Sequence, residues 1–229
     1  MLGLISAMKV EMELIAAALE KGQTNHLGGV EFQSGFLWGR QAVLCVCGPG
    51  KVNAALCTQA MIQYYHPEAV LNLGVAGSLS DKVSIGDVVV GTYAVQHDMD
   101  TTPLGDPPGY ISGVNLIRLP LDDTLADKLR RALWALPDIK GAFGGIATGD
   151  QFLHDTLRRD RVREQFDALC CEMEGGAVAH VCHVNSVPCA IVRAISDNAD
   201  GSSDADFLKF VKHAAENSVR LVRHFLQEA

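Results

Sequence analysis

The chain has 229 residues, 48% of them hydrophobic, and a formal net charge of −8. That length and apolar content suffice for one sizeable α/β core, and an acidic chain without a long basic run is a poor fit to nucleic acid or an anionic membrane. Seven cysteines, an odd set without a C-x-x-C spacing, sit mostly in apolar runs and read as free buried thiols.

The opening "MLGLISAMKVEME" has an apolar run too short for a signal segment or a membrane span, and no basic stretch precedes it. It reads as the first strand (2–6) of a cytoplasmic domain, followed by a helix over 8–19. Residues 30–48 read as a hairpin turning near Trp38–Gly39. A helix over 50–65 ends before Pro67, and "AVLNLGVAG" (69–77) is a buried strand closed by glycine. A longer strand covers 87–98. Residues 99–118 carry three of the eight prolines and no periodicity, which marks a long loop of the kind that is often functional. Then come helix 122–135, strand 139–147, helix 155–167, strand 168–173, helix 174–185, strand 188–196 and an amphipathic helix 204–227. Alternating strands and helices, without repeat or linker, predict a single α/β domain over residues 1–229 around a central mixed sheet.

In open α/β sheets the ligand crevice lies beyond the carboxyl ends of the strands. Seven such junctions here carry polar-plus-glycine motifs: "SAMKVEME", "GPGK", "GVAGSL", "QHDMD", "TGDQFLH", "EMEGG" and "RAISDNAD". They bring Glu11, Glu172, Glu174, Arg193 and Asp197 into candidacy. Each acid also has a structural reading. Glu11 and Glu174 are first-turn acids favoured by a helix dipole, and Asp197 suits an N-cap or Asx turn. Arg193, inside "CAIVRAIS", differs: a strand-borne arginine among apolar neighbours needs a buried partner, and a carboxylate is the natural one. "GPGK" lacks the spacing of a phosphate loop, and "GVAG" lacks a dinucleotide fingerprint. His180, Cys182 and His183 do not make a zinc site, because Cys182 points away from the face the two histidines share. The basic run "RRDRVRE" is interrupted by acids and reads as a solvated helix face.

In order and spacing, "LGLISAM", Glu11, "GKV", "GVAGSL", "HDMD", "GDQF", "CEMEGGAVAHVC" and "VRAISDNAD" resemble the methylthioadenosine/S-adenosylhomocysteine nucleosidases of the purine nucleoside phosphorylase superfamily. The resemblance spans nearly the whole chain. It implies a three-layer αβα sandwich with a twisted mixed sheet, usually a homodimer, that hydrolyses the N-glycosidic bond of adenosine derivatives without metal or cofactor. It casts Asp197 as the acid at adenine N7, steadied by Ser196, and Glu11 as the base that activates water. It casts Glu174 as both helix cap and grip on the ribose hydroxyls, and Arg193 as the charge that keeps the carboxylates ionised. Phe152 is expected to stack on adenine while the Leu153 backbone reads the purine edge. Met173 is expected under the ribose, and Glu172 as support around it. Met8, Phe207 and the 99–113 loop, the last lent by a partner subunit, are expected to wall the 5′-substituent.

Three positions depart from the usual pattern. Pro49 stands near the ribose face in place of a branched aliphatic, Leu104 in place of an aromatic on the partner loop, and Val75 in place of a hydroxyl near the water. "QHDMD", "GDQFLH" and "ISDNAD" look like the branch that also cleaves aminodeoxyfutalosine in menaquinone biosynthesis. Two rival readings are a phosphorylase on the same fold and a silent nucleobase-binding protein. The first would need several arginines around a phosphate, and Glu11 would repel that anion.

Overall fold

The structure is a computed structural model that describes residues 1–201 and 207–227, without the side chains of 207–209. The Phe207 expectation, and the first residues of the helix expected from 204, therefore lie outside the described residues. Among the described residues ten strands form one sheet: β1 (Leu2–Ser6), β2 (Leu19–Leu27), β3 (Val30–Leu37), β4 (Arg40–Val46), β5 (Ala69–Ser78), β6 (Val88–Gln96), β7 (Leu119–Pro120), β8 (Gly141–Thr148), β9 (Ala168–Glu172) and β10 (Cys189–Asp197). The α-helices described are α1 (Lys9–Ala16), α2 (Lys51–Tyr65), α3 (Asp123–Trp134), α4 (Thr156–Phe166), α5 (Gly175–Val184) and α6 (Phe207–Gln227).

Burial sorts the helices into layers. Met12 and Ile15 of α1, Leu129 of α3 and Leu221 and Phe225 of α6 pack on one face of the sheet with Leu4 and Leu71. Ala54, Cys57 and Met61 of α2 and Val178 and Cys182 of α5 pack on the other with Ile5 and Val70. Because both faces are covered, β5 and β10 are buried along nearly their whole length and read as mainly apolar runs, interrupted by Asn72 and Arg193, rather than alternating ones. The sheet is mixed: β4–β1–β5–β10 run parallel to one another, as do β6–β8–β9, while β6 joins β10 antiparallel and β2–β3–β4 is an antiparallel meander.

The pairings hold two features that positional patterns did not predict. First, β5–β10–β6–β8–β9 pair successively and β9 returns to β5, so half of the sheet closes on itself. Second, β5 changes neighbour along one edge. Leu2–Ile5 of β1 pair with residues 69–72, whereas β9 pairs only at Gly77 and Ser78. Residues 73–76 of that edge face neither strand, and the sheet parts there. This is a topological switch point, the place where α/β folds hold ligands.

Boundaries moved in one region. The helix expected over 8–19 stops at Ala16, and Leu19–Leu27 is an edge strand on β3 that the sequence reading missed. The two-residue strand β7, paired with β6, was also missed; the other elements lie within a few residues of expectation, and the 99–118 loop holds only a 3-10 turn at Thr102–Leu104 and an isolated bridge. All seven cysteines are free. Among the described residues no helix is long and apolar enough to cross a membrane, and no three His, Cys, Asp or Glu side chains gather to hold a metal.

Candidate active site

The gap beside β5 opens into a cavity of about 220 Å³. Ala7, Met8 and Glu11 reach it from the β1–α1 junction, and Pro49 from the β4–α2 junction. Val75 and Ala76 form its floor. Gln151 and Phe152 follow β8, Cys171 through Glu174 follow β9, and Ser196 and Asp197 end β10. Among the described residues larger clefts exist, one of about 600 Å³ between Phe36, Arg40, Lys128 and Phe225, but these larger clefts do not gather several buried carboxylates, as the smaller one does.

Glu172 and Arg193 make the foundation. Arg193 is 1% exposed, so its charge must be answered from within the fold. Its Nε and Nη2 donate to Glu172 Oε2, and its Nη1 and Nη2 donate to the backbone and side-chain oxygens of Asn72. Asn72 Nδ2 in turn donates to the Ile5 carbonyl, which fixes the amide's direction. Glu172 Oε2 also accepts from the amides of Glu174 (3.1 Å) and Gly175 (2.7 Å), and its Oε1 accepts from the Thr148 hydroxyl. Thr148 Oγ1 accepts from the Gly176 amide (2.6 Å). The first amides of α5 are thus capped by Glu172 and Thr148. This corrects the expectation for Glu174: it stands at the N-cap position, but its side chain caps nothing.

Glu174 is therefore available to the cavity. Its Oε1 accepts from the Gly50 amide (2.9 Å), and its Oε2 lies 4.0 Å from Arg193 Nη2. Glu11 is a first-turn acid in α1 and also more than that. Its Oε2 accepts from the Met8 amide (2.8 Å), while Oε1 crosses to the Val75 amide (3.1 Å), one of the unpaired positions of β5. Asp197 accepts from Ser196 Oγ (2.8 Å) and from the Ala199 amide (2.8 Å), so the Asx-turn reading is also correct and the carboxylate is fixed from both sides.

Burial dominates the electrostatics. It raises the Glu11 pKa above the ordinary carboxylate value, with the Met8 amide, Arg193 and the Val75 amide pulling it down less strongly. Burial, then the charge of Glu172, pushes Glu174 up to about 7, against the opposing pull of Arg193 and the Gly50 amide. The charge of Arg193 lowers both pKa values, and desolvation outweighs it. The Arg193 pKa is raised: burial disfavours its charge, but Glu172, Glu174 and Glu11 together prevail.

Ten of the fourteen expected positions lie on the cavity wall: Met8, Glu11, Pro49, Val75, Phe152, Glu172, Met173, Glu174, Ser196 and Asp197. Arg193 stands behind the wall. The Leu153 side chain packs in a third apolar cluster with Val95 and Phe166 rather than on the cavity. Leu104 is 83% exposed on its loop and does not reach this chain's own cavity. Ala7, Ala76, Gln151 and Cys171 on the wall, and Asn72 and Thr148 beneath it, were missed. Asn72 gave a signal that could have found it: like Arg193, it interrupts an apolar strand, "AVLNLG".

Residues 1–227 of this mixed α/β chain match the family model of the phosphorylase superfamily. The curated 5′-methylthioadenosine/S-adenosylhomocysteine nucleosidase of Shewanella pealeana is 34% identical over 228 residues, 99% of each chain. The crystal structure of the Neisseria meningitidis nucleosidase of that name, in complex with methylthio-immucillin-A, superposes with a TM-score of 0.95 at 34% identity, covering 100% of this chain and 99% of that one. A futalosine hydrolase of Helicobacter pylori gives a TM-score of 0.94 at 32% identity, covering 100% and 97%. The chain belongs to the methylthioadenosine/S-adenosylhomocysteine nucleosidases of the phosphorylase superfamily.

Proposed function

We propose that the chain hydrolyses the N-glycosidic bond of 5′-substituted adenosines, methylthioadenosine and S-adenosylhomocysteine among them, and releases adenine. The observation that carries this reading is the meeting of Glu11, Glu174 and Asp197 in one crevice over a buried arginine. Cleaving this bond needs a proton for the departing base, tolerance of an oxocarbenium-like sugar, and a water that loses a proton as it attacks, the two-carboxylate logic of glycoside hydrolysis. Asp197, oriented by Ser196 and the Ala199 amide, donates to adenine N7. Phe152 stacks on the base, and the Leu153 backbone reads its edge. Glu174 holds the ribose hydroxyls above Met173 and offsets the positive charge of the sugar. Glu11 takes the proton from water; its raised pKa makes it a stronger base than an exposed carboxylate.

Glu11 also favours hydrolysis over phosphorolysis. Its carboxylate already engages the Met8 and Val75 amides, donors an anion would otherwise use, and adds negative charge beside Arg193. At the 5′ end Met8 presents an apolar wall with no side-chain group to pair with a bare hydroxyl. A larger 5′-group, as in aminodeoxyfutalosine, is a second substrate on this reading, supported by the likeness to a futalosine hydrolase.

The whole chain, 1–229, acts as one domain, in the cytoplasm, where seven free thiols are at home. It pairs with a second copy, whose 99–113 loop, Leu104 included, closes the 5′ side. The support is an apolar face beside the site: Val52 and Val184, 70% and 63% exposed, line a groove between α2 and α5, and Leu56 of α2 is 59% exposed. A panel of methylthioadenosine, S-adenosylhomocysteine, 5′-deoxyadenosine, aminodeoxyfutalosine, adenosine and methylthioinosine, read as kcat/KM for base release, tests the reading. Adenosine should lose about ten- to two-hundred-fold relative to methylthioadenosine, and the inosine analogue more, because its oxo group mismatches buried polar groups. Equal rates for methylthioinosine and methylthioadenosine would refute adenine recognition.

A further inference from the structure

The "GPGK" junction is left unexplained by the chemistry above. Lys51 opens α2 but does not touch the cavity. Its Nζ donates to Asp98 Oδ1 (2.6 Å) and to Gln96 Oε1 (3.3 Å), at the end of β6. Its own amide donates to Asp150 Oδ1 (2.7 Å), after β8, and the Asp150 amide donates to Asp98 Oδ2 (2.8 Å). Lys51, Asp98 and Asp150 thus close a ring across three strand-end loops. Lys51 and Asp98 are each 19% exposed at the side chain, so the pair is shielded rather than a loose surface contact.

The ring has a target. Gly50, the residue before Lys51, sits at φ +99, a conformation that favours glycine, and a Cβ there would meet Asp150 Oδ1 at 3.1 Å. In that conformation its amide points at Glu174 Oε1, 2.9 Å away. Asn53 Nδ2 donates to the Pro49 carbonyl (2.7 Å) and steadies the same turn from inside α2. Gly50 has no side chain with which to hold itself. Its nearest anchors are Asn53 on the turn before it and the ring at the Lys51 amide, one residue further on.

We propose that Lys51 is a positioning residue: through its ring with Asp98 and Asp150 it aims the Gly50 amide at Glu174 and so sets the charge and direction of that carboxylate. This inference rests on the reading that ionised Glu174 holds the ribose. Glu174 is also faced by Glu172 from β9, Arg193 from β10, Glu11 from α1 and Cys47 after β4. Lys51→Met leaves all four in place. It removes the ammonium of the ring, and the Gly50 amide loses its aim.

The readout is the pH profile of kcat/KM, which reports the free enzyme's essential groups. Wild-type activity should rise as Glu174 loses its proton near pH 7. In Lys51→Met that limb should move to higher pH by about one unit, because a hydrogen bond to a carboxylate favours its charged form and tenfold in population is one pKa unit. The deficit against wild type is then about tenfold larger below the limb than above it. Asp98→Asn should shift the limb in the same direction, and the Lys51→Met/Asp98→Asn double variant should be no worse than the poorer single. Thermal unfolding of each variant establishes that it is folded. A uniform loss at every pH, additive losses in the double variant, or an unchanged profile in folded Lys51→Met would overturn the proposal. Glu174→Gln separates the two readings: if it turns over like wild type, the role of Glu174 itself is wrong. If it is inactive while Lys51→Met is unaltered, only the positioning role fails.

Discussion

At Glu174 burial opposes charge, and the conflict has a consequence for stability. A carboxyl with its folded pKa above its unfolded value binds its proton more tightly in the fold. Its contribution to stability is present below the unfolded pKa and is lost as pH rises toward about 7. The shift from 4.5 to about 7 corresponds to about 3 kcal/mol at most. Glu174→Gln should therefore melt several degrees above wild type near pH 8, at about 2–4 °C per kcal/mol for a chain of this size, and lose that advantage near pH 4. The same variant should lose turnover. Equal melting temperatures at both pH values would contradict this. Arg193 shows the opposite case: its charge is needed, and removing it leaves Glu172 buried and unpaired, a loss of about 3–5 kcal/mol. The sequence made Arg193 legible because a cation inside an apolar strand demands an acid. It did not show which acid: adjacent glutamates flank Met173, and only the backbone turn before α5 decides that Glu172 faces inward and Glu174 outward.

At the scale of elements, the site depends on strand ends that approach closely enough to exclude a side chain. Gly77 pairs with Asp197 on one edge and with Cys171 on the other. A Cβ there would meet Asp197 Oδ1 at 2.8 Å and Ala199 Cβ at 2.9 Å. Gly77→Ala should displace the Asp197 carboxylate and lower kcat by about a hundred-fold or more while the chain still folds, the loss expected of a misplaced general acid. A kcat within a few-fold of wild type would show that Asp197 does not act from this position. Most elements were readable because apolar period and glycine punctuation agree. The end of α1 was not: "AAALEK" has strong helix propensity, yet Leu19 and Glu20 pair with Leu37 and Phe36 of β3. β2 gave no signal of its own, since seven of its nine residues are exposed and no alternation survives. Tertiary pairing, invisible in a local window, decides both.

For the whole molecule, the closing of half the sheet and the parting of β5 from β1 were not legible, because pairing order is not written in any one strand. The consequence was legible only as seven polar strand ends. The apolar face over α2 and α5 makes a second prediction at this scale. Wild type should sediment as a dimer, and Val52→Glu with Leu56→Glu should give a folded monomer with reduced kcat/KM, since each buried Val or Leu contributes about 1.5–3 kcal/mol. A fully active monomer would remove the partner loop from the site. Hydrolysis with Asp197 as the acid is tested most directly by product analysis after methylthioadenosine is incubated with wild type and with Asp197→Asn, in the absence and presence of phosphate. The expected result is adenine and free methylthioribose from wild type, unaffected by phosphate, and a rate about a hundred- to ten-thousand-fold lower from Asp197→Asn. Release that requires phosphate and yields the sugar 1-phosphate, or near-normal release by Asp197→Asn, would contradict it.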